Sequence, residues 1–406
     1  MRKSPMPLEI VTPEQALEWC QNFLCGAWSS ITVDQMHLER ISGGLSNYLY
    51  CCSLPDDVES QNSEPRKVLL RIYGEAHQKH RGTLLIDSVV CTLLSDRKIG
   101  PHVHGIFPEG RLEEFVDAEA LLVAEVRDRE ISQKAGRLLG DLHQLDMPLV
   151  KEPTWLYHTI EQYLSSLPTD LHKFEIEEDR HIYQELQSVC KFAEEFEELK
   201  KILATIDSPI RLCHNDFQAG NILRLKSDLN NFTVIDFEYC SYNYRGYDIG
   251  NHFCEFMFDY ISSKEWPHFK VNFSHYPNKE QQHNFLSAYV DAILASQDQS
   301  VPCTNDSSKN SNRDELINEI MKEANYYTLA SHFFWTLWAI HMATSTAIKF
   351  GYMEYARTRL TAYYLTRDRL VGANEMPPTF SEELLQSTKN PFHSSYIKLD
   401  TEQISS

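Results

Sequence analysis

The sequence predicts an α+β protein of two lobes: a small β-rich N-terminal lobe with a leading helix over residues 1–116, and a larger, mostly helical lobe over 117–372. Three observations carry this expectation. The first 116 residues alternate short β-rich runs with turn residues around one helical segment. Beyond 132, apolar residues recur mainly at helical spacing. The chain is 406 residues long, 42% hydrophobic and 24% charged, a globular composition and too long for one small module. Residues 373–406 carry two adjacent prolines and many Ser, Thr and Glu, and read as a poorly ordered tail.

The elements follow in order. Thr12-Pro13-Glu14 opens a helix to about residue 24, with Thr12 as its N-cap. Residues 37–41 and 48–52 read as strands, and 67–72 as a third. Apolar residues at 84, 85, 86, 89, 90, 93 and 94 predict a helix over 83–95, which Gly100-Pro101 closes off. Two more strands are expected at 103–107 and 111–116. Helices are then expected at 132–145, 155–167 and 182–206, and near 248–262, 279–296, 314–349 and 353–370. Short β-like runs at 210–214 and 232–237 interrupt them, and 298–312 reads as a mobile loop.

Charge and cysteine usage narrow the function. Lys and Arg number 38 against 58 Asp and Glu, a net charge of −20. That argues against a nucleic-acid or anionic-membrane partner, so a phosphate site must make its own local positive field. The ten cysteines include no CxxC and no zinc-like spacing, which favours a reducing, cytoplasmic setting. The first fifteen residues lack the apolar stretch of a signal peptide. Residues 324–348 hold no Asp, Glu, Lys or Arg and are long enough to span a bilayer. Their many Asn, Ser, Thr and His residues point instead to a buried helix, without stable membrane insertion.

The chemistry concentrates in Leu212-Cys213-His214-Asn215-Asp216-Phe217-Gln218-Ala219-Gly220-Asn221-Ile222-Leu223. Asp216 is followed five residues later by Asn221, and the run 232–237 then delivers Asp236 near its end. This is the order and spacing of a protein-kinase catalytic loop and its metal-binding Asp. An Asp beside an acceptor hydroxyl can take its proton. An amide and a second carboxylate offer hard oxygens to Mg2+. Taken alone, His-Asn-Asp is equally an Asx-rich turn; Asn221, Asp236 and the upstream elements favour the catalytic reading. Ser42-Gly43-Gly44-Leu45-Ser46-Asn47 lies between two strands, where small residues let backbone N–H groups approach phosphates, although Gly-Gly between strands, taken alone, is usually a hairpin turn. Arg71 occupies the third strand, where a kinase carries its phosphate-pairing Lys, and Asp87 the following helix, where a kinase carries the ion-pair Glu. An Arg71–Asp87 pair could do the same electrostatic work. Glu114-Phe115-Val116-Asp117 reads as an adenine-side hinge.

With these residues in view, the chain resembles the choline/ethanolamine kinase family. The stretches ISGGLSNYLY, EPRKVLLRIYG, IGPHVHGIFPEGRLEEF, CHNDFQAGNIL, VIDFEYCSYNYRGYDIGNHFCE and IKFGYMEYA carry the likeness, from about residue 20 to 372. The resemblance implies a two-lobed, protein-kinase-like fold, ATP as phosphoryl donor, magnesium, and phosphorylation of choline as the first step of phosphatidylcholine synthesis. It implies that Ser42, Gly43, Gly44, Leu45, Ser46, Asn47, Tyr48 and Arg71 serve the phosphates. Glu114, Phe115, Val116, Asp117, Ala118, Glu119 and Ala120 would line the adenine side, with Gln218 near the nucleotide. Asp216 would be the base, Asn221 and Asp236 the metal ligands, and Asp248 and His214 structural braces. Family members commonly carry Arg where this chain has Ser42, which leaves more of the phosphate contact to Arg71. A homodimer is a further family expectation.

The acceptor site is expected among aromatics. A quaternary ammonium donates no hydrogen bond, so it needs π-faces and negative charge. Trp335 and Trp338 share a helix face. By the resemblance they line a choline pocket with Tyr239, Glu255, Tyr260, Phe350, Tyr352 and Tyr355. Core packing is the alternative for such a stripe. Ethanolamine as sole or second acceptor stays open. A catalytically silent kinase-like module is disfavoured by the intact Asp216, Asn221 and Asp236. An aminoglycoside phosphotransferase is disfavoured by the aromatic cage.

Overall fold

The computed structural model describes residues 11–41, 47–59, 61, 63–74, 81–297 and 307–371, without the side chains of 81–85, 296–297 and 307–311. Helix α1 (Pro13–Phe23) opens on a capping box. The Thr12 hydroxyl accepts from the Gln15 N–H, and the Gln15 side chain accepts from the Thr12 N–H at 3.1 Å. Strands β1 (His37–Ile41), β2 (Asn47–Ser53) and β3 (Lys67–Tyr73) follow, then α2 (Arg81–Asp96), β4 (Val103–Phe107), β5 (Gly110–Glu114) and β6 (Ala118–Ala120). After these come α3 (Arg129–His143), α4 (Thr154–Ser165), α5 (Glu177–Val189) and α6 (Phe192–Leu203). Next are β7 (Ile210–Cys213), β8 (Ile222–Leu225), β9 (Phe232–Val234), β10 (Ser241–Tyr244), α7 (Arg245–Glu255), β11 (Phe258–Asp259) and β12 (Lys270–Val271). Three helices finish the described chain: α8 (Lys279–Gln297), α9 (Ser307–Ser345) and α10 (Tyr352–Val371).

Two compact units result. The first gathers residues up to Glu119, then 223–238 and 346–348; the second takes 120–222, 239–345 and the residues from Lys349. The boundary therefore falls just beyond the expected end of the N-terminal lobe, and the segment bearing Asp236 returns to the first unit. The tail expected over 373–406 lies outside the described residues.

The first unit is built on an antiparallel five-stranded sheet, order β1-β2-β3-β5-β4. Strand periodicity sorts its side chains. Tyr48, Tyr50, Cys52, Val68, Leu70, Ile72 and Leu112 pack with Ala16, Leu17, Cys20 and Trp28 in one core on the α1 side. Arg71, Arg111 and Glu113 alternate with these residues, so they project from the opposite face, where Asp87 of α2 meets Arg111.

The second unit is mostly helical. Helix α7 is buried at every residue. It lies so close to α9 that a Cβ on Gly250 would stand 2.5 Å from the Ala324 carbonyl oxygen; only glycine fits there. Among the described residues no helix is long and apolar enough to cross a membrane. The nine described cysteines are all free thiols.

Several expectations needed correction. The helix expected over 182–206 is two, α5 and α6, with Cys190 extended between them (φ −130°, ψ 117°). Ile182, Tyr183 and Leu186 are buried on one stretch and Phe192, Phe196 and Leu199 on the next. The six-residue step from 186 to 192 cannot keep both sets on one face of a straight helix. Residues 307–312, expected in a mobile loop, belong to α9, while 298–306 lie outside the described residues. The helix expected near 248–262 ends at Glu255 and gives way to the β11–β12 pair. Strands β6, β8 and β10 were too short to read from periodicity.

Candidate active site

The loop after β7 carries Asp216, and three fixed points shape it. Asp248 of α7 accepts from the backbone N–H of His214 at 2.7 Å and of Asn215 at 2.8 Å, one on each carboxylate oxygen. Asn215 sits at φ +67°, a left-handed conformation that Asn tolerates. Its amide nitrogen donates to the Tyr239 carbonyl and the Ser241 hydroxyl, both at 2.8 Å, and its oxygen accepts from Asn243 at 2.8 Å. His252 Nδ1 donates to the Phe217 carbonyl at 2.8 Å. The turn then closes on itself, for Asn221 Nδ2 bonds both the carbonyl and the carboxylate of Asp216.

Asp248 also accepts from His143 Nε2 at 3.0 Å, and the other ring nitrogen of His143 meets the Tyr289 hydroxyl at 2.8 Å. Burial holds His143 below its ordinary range, although Asp248 favours its protonated form. His143, Cys213 and Asp248 lie close enough to hold a metal. His143 and Asp248 are committed to these hydrogen bonds, and the Cys213 thiol donates to the Asn243 carbonyl at 3.6 Å, so the cluster reads as a brace.

In the first unit the charges form a buried chain. Arg71 donates to Glu113 at 3.2 Å and to Asp236 at 2.9 Å. Glu113 Oε1 is shared with Arg111, and Arg111 also pairs with Asp87. The direct Arg71–Asp87 pair expected from the sequence is thus replaced by a relay through Glu113 and Arg111. Burial opposes the charge of Arg71, yet Asp236 and Glu113 outweigh it and raise its pKa. Burial likewise works against the Glu113 carboxylate, but Arg111 and Arg71 hold it below the usual carboxylate range. Asp236 has φ +68°, and its side chain remains 26% exposed.

The other expected nucleotide residues are placed unevenly. Ser42, Gly43, Gly44, Leu45 and Ser46 lie outside the described residues. Asn47 donates to Glu238 at 2.7 Å and accepts from the Gly74 N–H at 3.3 Å. The ring of Tyr48 is in the α1 core, which removes it as a side-chain contact for phosphate. Glu114 accepts from the His102 N–H at 3.0 Å, Phe115 lies under Lys67, and Asp117 pairs with Lys226 at 3.0 Å. Val116 is half-buried, and Ala118, Glu119 and Ala120 form β6. Gln218 caps the short turn Ala219–Asn221 through the Gly220 N–H at 3.0 Å.

The aromatic residues come together in the second unit. Trp335 and Trp338 stand edge to face, centroids 5.1 Å apart. Tyr239 lies 5.7 Å from Trp335, and Tyr352 5.8 Å from Trp338. Phe350 is 5.1 Å from Tyr352 and 5.7 Å from Tyr355, while Tyr260 is 6.1 Å from Tyr355. The indoles are pinned: Trp335 Nε1 donates to Asn251 at 2.8 Å and Trp338 Nε1 to the Tyr239 hydroxyl at 3.1 Å. One expectation changes. Glu255, expected as a countercharge for substrate, is bonded to Arg359 and to the Tyr260 hydroxyl.

Five residues of this framework are not singled out by the sequence: Asn251, His252, Arg359 and the pair Arg111 and Glu113. A signal existed for the first two. Asp248, Asn251, His252 and Glu255 fall at i, i+3, i+4 and i+7, and the residues between them, Ile249, Gly250, Phe253 and Cys254, are apolar or small, so the four share one polar stripe.

Comparison with known proteins adds the following. The family model for choline/ethanolamine kinase matches residues 38–364. A human choline/ethanolamine kinase is 38% identical over 366 residues, covering 89% of this chain and 87% of its own. Mouse choline kinase alpha is 38% identical, covering 88% of this chain and 82% of its own. The crystal structure of a choline kinase from Cryptosporidium parvum matches with a TM-score of 0.63 at 26% identity, over 89% of this chain and 97% of its own.

Proposed function

The chain belongs to the choline/ethanolamine kinase family, with its kinase-like fold, and from that premise we propose that this alcohol-acceptor phosphotransferase moves the terminal phosphoryl group of ATP to choline through Asp216. One observation supports the residue assignment most. Asn215, next to Asp216, bonds the carbonyl of Tyr239, whose hydroxyl in turn holds Trp338. The loop bearing the base and the aromatic wall are therefore tied within one unit.

The roles follow from the chemistry. Asp216 takes the proton of the choline hydroxyl as the bond to phosphorus forms. Trp335, Trp338, Tyr239, Tyr352, Tyr355, Tyr260 and Phe350 offer π-faces to the trimethylammonium. Arg71, a planar fork on a rigid strand, pairs with the phosphates. Asp248 and His252 hold the loop in shape from α7.

Magnesium fits the donors present. Asp236 offers a partly exposed carboxylate, and the bonding of Asn221 Nδ2 to Asp216 turns its amide oxygen the other way. Both are hard oxygen ligands, and the ion would neutralise phosphate charge when bound. A cytoplasmic setting suits the free thiols, and a homodimer is part of the same family reading.

Ethanolamine is the second reading, because relatives carry both names. The assay is ADP release with choline and ethanolamine side by side, and the aromatic wall predicts the higher kcat/KM with choline.

A further inference from the structure

We propose that Arg359 is a specificity-determining residue: by occupying Glu255 it cancels a carboxylate bonded into the aromatic wall, and so biases the pocket toward a quaternary over a primary ammonium. The inference rests on the choline-pocket reading and concerns what sets its selectivity.

The geometry is as follows. Glu255 is 5% exposed and Arg359 fully buried. Glu255 Oε1 takes Arg359 Nη2, and Oε2 takes the Tyr260 hydroxyl at 2.8 Å. Arg359 Nε reaches the Tyr355 hydroxyl at 2.8 Å, and the Tyr355 and Tyr260 hydroxyls are 3.0 Å apart. The guanidinium also stacks over Phe258 at 4.0 Å. His332, 3.3 Å from Arg359 Nη1, is held neutral by burial and by the same arginine. Glu255 and Arg359 thus form a neutral unit, and both carboxylate oxygens are engaged.

The consequence is chemical. A primary ammonium has three N–H donors and gains most from a carboxylate with charge and lone pairs to spare. A trimethylammonium has no donor and gains from ring faces. With the carboxylate consumed by an internal cation, the wall keeps its π-faces and loses its best ammonium acceptor. Arg359 also turns the tyrosine hydroxyls toward itself, which presents the rings rather than their polar ends.

The test compares kcat/KM for choline and ethanolamine, with melting temperatures, in wild type, Glu255→Gln, Arg359→Gln and the double variant. Arg359→Gln frees the carboxylate, so the choline-to-ethanolamine ratio is expected to fall about tenfold or more. Glu255→Gln leaves a lone buried guanidinium near the substrate cation, so KM is expected to rise for both amines. Adding Arg359→Gln to Glu255→Gln removes that cation and should recover at least about fivefold of the choline loss. An unchanged ratio in Arg359→Gln, or a double variant no better than Glu255→Gln, overturns the proposal. Should Arg359→Gln not fold, the second comparison decides alone. Trp338→Leu serves as control: if its choline KM is unmoved, the pocket reading itself fails. If that KM rises while the Arg359 outcomes are missing, only the present inference fails.

Discussion

Asn221 donates from one amide nitrogen to two oxygens of Asp216, the backbone carbonyl at 2.9 Å and the carboxylate Oδ2 at 3.0 Å. The bond fixes the loop's width and aims the carboxylate.

Asp216→Asn keeps that shape and removes the basic oxygen. Turnover is expected to fall by roughly 10²-fold or more, with the melting temperature little changed. Steady-state ADP release and a thermal melt check this. Turnover within a few-fold of wild type rejects Asp216 as the base.

Asp236→Ala removes the carboxylate that faces Arg71 and the proposed ion. The Mg2+ concentration for half-maximal activity is expected to rise steeply, and less so in Asn221→Ala, because an amide is the poorer ligand. Magnesium titrations on both variants decide it. Unchanged dependence in both removes them as ligands.

For the aromatic wall, Trp335→Leu or Trp338→Leu keeps apolar bulk and deletes a π-face. A desolvated cation–π contact is worth about 2 kcal/mol, roughly 30-fold in an equilibrium constant. The choline KM should rise by about that order while the ATP KM stays put. A core role predicts a lower melting temperature with neither KM selectively altered.

Glu113→Gln tests the relay behind Arg71. The variant leaves Arg71 and Arg111 short of a buried countercharge, a change that costs about 3–5 kcal/mol when a buried pair is broken. Expected are a lower denaturation midpoint and a raised KM for ATP, with the choline KM unaffected. An ATP KM equal to that of wild type would leave Glu113 a purely structural role.

His252 gives a pH signature. Burial depresses its pKa from 6.5 to about 4, while its bond to the Phe217 carbonyl opposes the shift. The unfolded chain therefore binds this proton first, and stability falls as pH drops from 6.5 toward 4. At pH 5 the loss from this group is about 2 kcal/mol. Urea unfolding at pH 7.5 and 5 should show a smaller difference in His252→Gln; an identical difference rules out His252 as a contributor.

The loop of the candidate site was legible because kinase-like chemistry fixes spacing, and Asn221 does bond Asp216. Asp216, Asn221 and Asp236 stand on short segments where a residue's order in the chain nearly determines its place. The long-range partners were not legible. Asp87 and Arg71 suggested each other from position, yet strand register places Arg71 opposite Arg111, and Glu113 then becomes the shared anion. Glu255 read as a countercharge because nothing local announces Arg359, 104 residues away in sequence. Helix ends suffered from the same limit. The break at Cys190 shows in the shift of the apolar register, whereas the strand at 241–244 exists because β7 pairs with it.

The most direct test of the central claim is phosphorus NMR of the protein with ATP, magnesium and choline. The account predicts a phosphocholine resonance that grows in step with ADP, and faster than phosphoethanolamine in the parallel ethanolamine reaction. ADP that accumulates without phosphocholine, or a faster reaction with ethanolamine, would contradict it.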